Sequence, residues 1–415
     1  MKRTVLALSF LSLGATQLLA ADLSFLPPPE TVDKILNEHP IVGTAEANLD
    51  VAKADADRLN AGPHEYQVSG YLGGRTVNQQ GEFTVYDLTV TRGIRLGDKA
   101  MLDAKSGSLG VEYGLNAIED AKHQTALLLM ADWMAWLEAE GRAKLDAEEA
   151  QSYLRERDAV RQRVARQDAA QRDADLAEAA YARANAAAEI SRGVAEETKA
   201  ALQRVFPEMA LLPNAPEIAA PELPALPLDR WFDLILRRSH EVRLAELDAA
   251  KQQTLVSRAE ADRRPDPSVG VRAYSDNARD ETALALVFSV PIGGAGRTAA
   301  ANAQAARAKA AYANLARIKR EYEQRAQQDV VKTRSGIASW SETATARNAA
   351  ETALARTRRG YELGEFDLSE LLLVSRQSYD ARRTEFAARA AGQRATLQLQ
   401  IDGHELWVLE DDAEK

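Results

Sequence analysis

The residues best suited to chemistry in this sequence are few, and their spacing argues against most of it. Five histidines, His39, His64, His123, His240 and His404, are scattered along the chain with no i,i+4 pair, and there is no cysteine. A transition-metal centre needs donors at knuckle or helical spacing. The sequence therefore predicts no metal site and no cofactor, and the histidines read as surface or helix-end residues. His39 and His240 occupy similar places in the two halves of the chain, which fits a shared helix start. Gly293-Gly294-Ala295-Gly296 opens a helical run and has the backbone freedom of a phosphate cradle. No Lys-Ser or Lys-Thr pair follows it, so a tight corner is the better reading. No nucleophile elbow and no paired catalytic carboxylates stand in a defined context. The expectation is a protein that is not an enzyme.

Charge and composition narrow the class. The chain carries a net charge of −10, which becomes −12 if Lys2 and Arg3 leave with a leader, and it has no basic footprint for nucleic acid. Without cysteine it has no disulfide framework and no lipid-modified N-terminal Cys. Met1 to Ala20 reads as a secretory signal peptide: two basic residues, an apolar run from Val5 to Leu13, and small residues at Ala20-Ala21. The residue three before either cut is Leu18 or Leu19, so the cleavage site stays open. Beyond the leader no run of about 20 apolar residues remains for a membrane helix. The cluster Leu127–Leu137, with Trp133 and Trp136, is too short to span and reads as helix core.

The elements that organise the chain centre on residues 265–312. From Ala283 to Ile292 apolar residues alternate, with Leu284, Leu286, Phe288, Val290 and Ile292 on one face, the period of a strand. Pro291 and the following glycines stop it, because Pro cannot donate to a ladder and Gly permits a sharp turn. From Arg297 the residues are nearly all strong helix formers. The same order occurs earlier: a helical pattern from Glu30 to Asn60, alternating runs Tyr66–Val77 and Phe83–Ile94, then helix from Gly97 to about Val205. In the second run Tyr86, Leu88, Val90 and Ile94 share a face. We read a signal peptide at 1–20 and a first repeat at 21–205, with strands near 66–77 and 83–95 and a long helical hairpin at 97–205. A Pro-rich linker at 206–227 follows, then a second repeat at 228–409, with strands near 267–276 and 282–292 and a hairpin at 297–409. Residues 410–415 form an acidic tail. Leu228–Arg264 is expected as one helix. Each long helical part reverses once, near Gln167-Asp168 and near Gly360–Asp367, where Asp367 or Ser369 caps a new helix. After the reversals, Leu176, Ala180, Ala187, Ile190 and Val194, then Leu368, Leu372, Tyr379 and Phe386, follow coiled-coil-like spacing.

Four strands in one chain leave two open edges, and an open edge cannot lie in hydrocarbon. Strands of about 10 residues with one apolar face fit an outer membrane. These short segments hold six of the chain's 24 aromatics (Tyr66, Tyr71, Phe83, Tyr86, Tyr274, Phe288), which suits an interfacial girdle, although aromatics favour soluble strands too. If the strands lie in lipid, Tyr86, Leu88, Val90, Leu284, Leu286, Phe288 and Val290 face it, and closure comes from other copies in a ring. A soluble hairpin, a periplasmic adaptor and a plain coiled-coil protein are the rival readings. An adaptor normally has a single helical hairpin and compact β domains, and a coiled coil needs no matched strands.

With these residues in place, the sequence resembles the TolC family of outer-membrane efflux ducts over about Glu30–Leu409. The resemblance is carried by the corner Val290-Pro291-Ile292-Gly293-Gly294-Ala295-Gly296-Arg297 and by Gly360-Tyr361-Glu362-Leu363-Gly364-Glu365-Phe366-Asp367-Leu368-Ser369-Glu370-Leu371-Leu372. It implies a mainly α fold with a small β part: a duplicated helix-strand-strand-long helix repeat, assembled as a homotrimeric α-barrel tunnel under an outer-membrane β-barrel. The implied partners are outer-membrane lipid, a periplasmic adaptor (membrane fusion) protein and an inner-membrane transporter. It implies a periplasmic tip at Tyr361, Gly364, Glu365, Phe366, Asp367 and Glu370, with Gln167 and Asp168 at the equivalent turn. Tyr361 falls at the gate tyrosine, Gly364 at the turn and Glu370 at the first acidic position of the constriction. The second acidic position is Leu373 and a basic residue near the turn is replaced by Phe366, so a locking salt-bridge network is not expected to match. Three copies of Glu370, with Glu365 or Asp367, could form an acidic ring favouring cations, or they could be solvated charges at a helix start. The corner Gly93-Ile94-Arg95-Leu96-Gly97-Asp98-Lys99 resembles the heavy-metal-efflux, CzcC-like branch. A duct for type I protein secretion would share the fold.

Overall fold

A computed structural model describes residues 23–276 and 281–408. The expected leader and acidic tail lie outside the described residues. The chain runs α1 (Pro29–Glu38), α2 (Pro40–Ala61), β1 (Tyr66–Val77), β2 (Gly81–Gly93), α3 (Lys99–Ala165), α4 (Gln171–Val205), α5 (Leu228–Arg238), α6 (His240–Ala261), β3 (Ser268–Asp276), β4 (Glu281–Ser289), α7 (Ala295–Leu363) and α8 (Leu368–Asp402). The halves match in length: 67 and 69 residues for α3 and α7, 35 each for α4 and α8, 22 each for α2 and α6. The two longest helices each run about 100 Å at 1.5 Å per residue.

Two expected single helices are broken. His39 precedes Pro40, and a residue before proline is pushed out of the α region, so α1 stops and α2 restarts. His39 adopts φ −65°, ψ 142°, and its Nδ1 accepts from Ile41 N–H. In the second half no proline intervenes. Ser239 breaks the run instead, its Oγ accepting from Val242 N–H as a cap for α6.

The strands form one antiparallel sheet in the order β1-β2-β3-β4, so β1 and β4 are its edges. The register sets Leu72 opposite Tyr86, Gly70 opposite Leu88, Val68 opposite Val90, Val90 opposite Val271, and Val271 opposite Leu286. Directly paired residues share a face, which gives one continuous apolar face across all four strands. The other face carries Ser69, Asp87, Thr89, Thr91 and Arg272, with Arg272 Nε donating to Asp87 at 2.9 Å. β4 ends earlier than expected. Ser289 is its last paired residue, opposite Ser268, and Val290 follows outside the ladder. Pro267 and Pro291 on either side remove the N–H groups that would extend it.

Sheet and helices join through a buried charge cluster. Lys99, 1% exposed, donates to Arg264 O (2.6 Å) and Asp266 Oδ1 (2.7 Å). Asp266 also accepts from Leu96 N–H and meets His64. Burial would raise the Asp266 pKa, but these hydrogen bonds, led by Lys99, hold it down at about 2. Arg95 reaches across to Leu59 O, Asn60 O and Asp103.

The main core lies midway along α3. Leu129, Met130, Trp133, Met134, Trp136 and Leu137 pack against Phe25 and α1, against Leu202 and Phe206, and against Leu397 and Ile401 of α8. Residues 206–227 form no helix or strand, yet they are not a free linker: Met209 and Ile218 are buried in this core. A second cluster sets Trp231, Leu234 and Ile235 of α5 on α7 and α8. The seam of α4 also differs from the expectation. Ala177, Ala184, Ala188 and Ala195 face inward, while Ile190 and Val194 are exposed. Small side chains let α4 approach α3 closely, which leaves its larger apolar residues pointing out.

Candidate functional site

The two helix reversals lie side by side at one end of the molecule. At each, the long helix closes in the same way. Glu365 N–H donates to Gly360 O (2.8 Å) and Gly364 N–H to Tyr361 O (3.1 Å). In the first half Asp168 N–H donates to Arg163 O (2.8 Å) and Gln167 N–H to Val164 O (2.9 Å). This is the paired-bond ending that places one residue in the left-handed region. Gly364 takes that position at φ 78°, and Gln167 at φ 63°. The left-handed conformation is natural for glycine and costs a glutamine side chain energy.

The restarts differ. Asp367 caps α8, its carboxylate accepting from Glu370 N–H at 2.9 Å, so Asp367 rather than Ser369 is the cap. Ala170 stands at the equivalent position of α4, in the extended conformation of a cap but with no side-chain acceptor. Ala170→Asp is therefore expected to stabilise the start of α4 by about 1 kcal/mol. The check is amide hydrogen exchange of residues 171–175, which should slow roughly fivefold.

Apolar contacts hold the reversals together: Val160, Ala174, Ala177 and Leu368 are buried, with Val164, Tyr361 and Leu372 against them. At the reversals a polar link also crosses between the hairpins, as Arg382–Glu148 and Arg383–Asp146 do further along. Arg163 Nη1 donates to the Tyr361 hydroxyl at 2.8 Å, and its guanidinium lies 5.5 Å from the ring centroid. Burial pushes the Tyr361 pKa up against the opposing effect of Arg163, so the acceptor is the neutral phenol. Phe366 folds back onto Gly360, where a Cβ would lie 2.4 Å from Phe366 Cδ2. Asp168, Glu365, Asp367 and Glu370 are exposed at the end of the molecule. Of the expected tip residues, the structure thus brings Tyr361, Gly364, Glu365, Phe366, Asp367, Glu370, Gln167 and Asp168 to one end. Sequence reasoning missed Arg163. Matching the two reversals bond by bond would have set Arg163 over Gly360, one turn before Gln167.

At the opposite end, Leu284, Leu286 and Phe288 are 79%, 86% and 79% exposed on the apolar face of β4, and Tyr86 and Leu88 continue it on β2. Val90 lies on the same row, half-buried, whereas Val290 belongs to the segment after the strand. No helix among the described residues is long and apolar enough to cross a membrane. Three histidines depart from the surface reading: His123, His240 and His404 are buried together, with His240 and His404 ring centroids 4.7 Å apart. Their separation in sequence gave no signal of this.

No family model and no curated sequence matches the chain. Solved structures do. The chain superposes on the outer membrane protein VceC of Vibrio cholerae with a TM-score of 0.74 at 15% identity, over 90% of this chain and 95% of that one. It has the TolC-like fold. The open-state MtrE outer membrane channel of Neisseria gonorrhoeae gives 0.69 at 17% identity, over 92% and 90% of the two chains. CusC, described in terms of transmembrane channel formation, gives 0.68 at 16%, over 90% and 91%. In each case the likeness covers at least 90% of both chains.

Proposed function

We propose that the chain is the outer-membrane exit duct of a tripartite efflux system, a passive channel whose energy comes from a partner pump. The observation that carries this reading is the sheet: two unpaired edges and one apolar face turned outward, above helices about 100 Å long. Edges of that kind are satisfied in lipid only by closing a barrel, and one chain's four strands need sister copies to do so. A homotrimer is the assembly this reading takes. A periplasmic adaptor and an inner-membrane transporter would meet the other end, where Tyr361, Gly364, Glu365, Phe366, Asp367 and Glu370 meet Gln167 and Asp168. The channel relatives, described as outer membrane channels, support the assignment through fold.

The test is extraction with the outer-membrane fraction, sizing in detergent and conductance in a planar bilayer. A trimer with ion conductance is expected; a water-soluble monomer would sink the proposal. Within it, the Arg163–Tyr361 bond holds the tip closed. Tyr361→Phe removes an exposed hydrogen bond worth about 1 kcal/mol, so the open fraction should rise roughly fivefold. An unchanged open probability would remove Arg163 and Tyr361 from gating.

For cargo we favour cations, on the exposed carboxylates Glu365, Asp367 and Glu370 and on the corner Gly93–Lys99, which resembles the heavy-metal branch. Gene deletion should then lower tolerance to zinc, cobalt, cadmium or copper. Lowered tolerance to organic toxicants alone would count against this cargo.

A further inference from the structure

The buried histidines lie where the chain's last described turn, residues 403–408, crosses the middle of the helical body. His404 stacks on His240 at 4.7 Å with planes 27° apart, and lies 5.2 Å from His123. The three are 2%, 8% and 3% exposed. His123 Nε2 meets Asp402 at 3.1 Å and His240 Nδ1 meets Asn116 Oδ1 at 3.3 Å. The remaining nitrogens, His123 Nδ1 and His240 Nε2, are buried without a hydrogen-bond partner. Among the described residues no group of three such side chains is arranged to hold a metal ion, which leaves proton chemistry.

A proton on either orphaned nitrogen would bury an N–H with no acceptor, beside other imidazoles. His240 is also the first residue of α6, where the helix dipole disfavours positive charge. The turn is held from outside by Arg238, which donates to Gly403 O (2.7 Å) and Glu405 (2.8 Å). Its backbone is held against local preference, with His404 at φ 55° and Trp407 at φ 65°.

We propose that residues 403–408 are an acid-released clasp, seated while the imidazoles of His404 and His240 are uncharged and freed when both take up protons. Burial, and then neighbouring imidazole, lower both groups, His404 to about 3. The sign follows. Seated, these histidines refuse protons, and released, they bind them below about 6.5. The clasp is therefore fully held above that pH and loosens as pH falls, by up to about tenfold per group per pH unit.

The other charges around the stack are Glu119 and Asp120 on α3, Arg238 on α5, Glu241 on α6, Tyr322, Arg325, Asp329 and Lys332 on α7, Asp402 on α8, and Glu405 in the turn itself. Burial raises Asp120 to about 6 and Asp329 to about 7. Asp120 pairs with Glu241, and Asp329 with Asp402, between helices rather than with the turn. Both titrate across the same pH range, so it is the His240→Gln and His404→Gln variants that assign the effect to the histidines. The inference stands apart from the channel proposal.

The absence of cysteine makes the test direct. Val408→Cys places a thiol at a buried position of the turn. Its maleimide labelling in the detergent-solubilised full chain is normalised to an exposed Ser341→Cys control. Relative labelling should rise at least about tenfold between pH 7.5 and 5.5. In His240→Gln and His404→Gln backgrounds, each with one group left, the rise should shrink to roughly the square root of the parent's. Should His404→Gln expose position 408 at every pH, the His240→Gln series carries the comparison. Flat relative labelling in the parent, or a rise that His240→Gln leaves unchanged, would overturn the clasp.

Discussion

Lys99→Met should cost the folded chain about 3–5 kcal/mol, the loss expected when one partner of a buried ion pair is removed. Lys99 is 1% exposed, and its ammonium is the principal hydrogen-bond donor holding Asp266 ionised. Methionine fills the volume but leaves the Asp266 carboxylate, its side chain 10% exposed, without its ammonium partner and held by Leu96 N–H and His64 alone. The measurement is chemical unfolding of the solubilised protein. The double variant Lys99→Met/Asp266→Leu removes both charges and should recover more than half of the loss. Equal losses in the single and double variants would mean that packing, not charge, is what Lys99 contributes. The depressed pKa sets the pH window. Asp266 contributes stability above about 3.8 that is lost as pH falls toward about 2, and this acid-sensitive part should vanish in the double variant.

Leu286→Arg should prevent stable membrane assembly, whereas Val287→Arg should be tolerated. Leu286 sits mid-strand on the apolar face, opposite Val271. On the proposed reading its surroundings are hydrocarbon near the bilayer midplane, where arginine costs about 2–4 kcal/mol. Val287, opposite Gly270, faces the other way and would project into an aqueous lumen. In a trimer the Leu286 cost recurs in every copy. Yield of heat-resistant trimer in the outer-membrane fraction checks it. If both variants assemble alike, the outward-facing row is not a lipid surface.

Much of the architecture was legible because its signals are local. The alternation of Leu284, Leu286 and Phe288 announces a strand without knowledge of its neighbours, and Gly364, just past the end of α7, marks the reversal with the residue that takes the left-handed region most readily. What escaped depends on distant parts of the chain. The exposed row Ile190 and Val194 looked like a seam because periodicity identifies an apolar stripe but not which stripe its own partner covers. In an Ala-rich helix the small residues take the close contact. Val290 has strand-like sequence but no paired neighbour, since the partner strand begins only at Ser268. Ser239 breaks a helix that propensity alone would carry through. The gathering of His123, His240 and His404 joins positions more than a hundred residues apart and leaves no trace in spacing. At the tip, Gly364 and Asp367 were readable as turn and cap, but Arg163 acquires meaning only once the other hairpin stands beside it.

The closely matched helix lengths on the two sides, 67 against 69 and 35 against 35 residues, carry a consequence for how such a chain tolerates change. Adding one residue to α3 would advance everything beyond it by 1.5 Å and turn it by about 100°, shearing its contacts with α4 and pushing one turn past the other. The bundle therefore behaves as a set of rods cut to a common gauge. Insertions should survive only when matched on the outgoing and returning rods of one half and repeated in the other, whereas the exposed stretch 212–214, between the buried Met209 and Ile218, belongs to no rod and can take single residues.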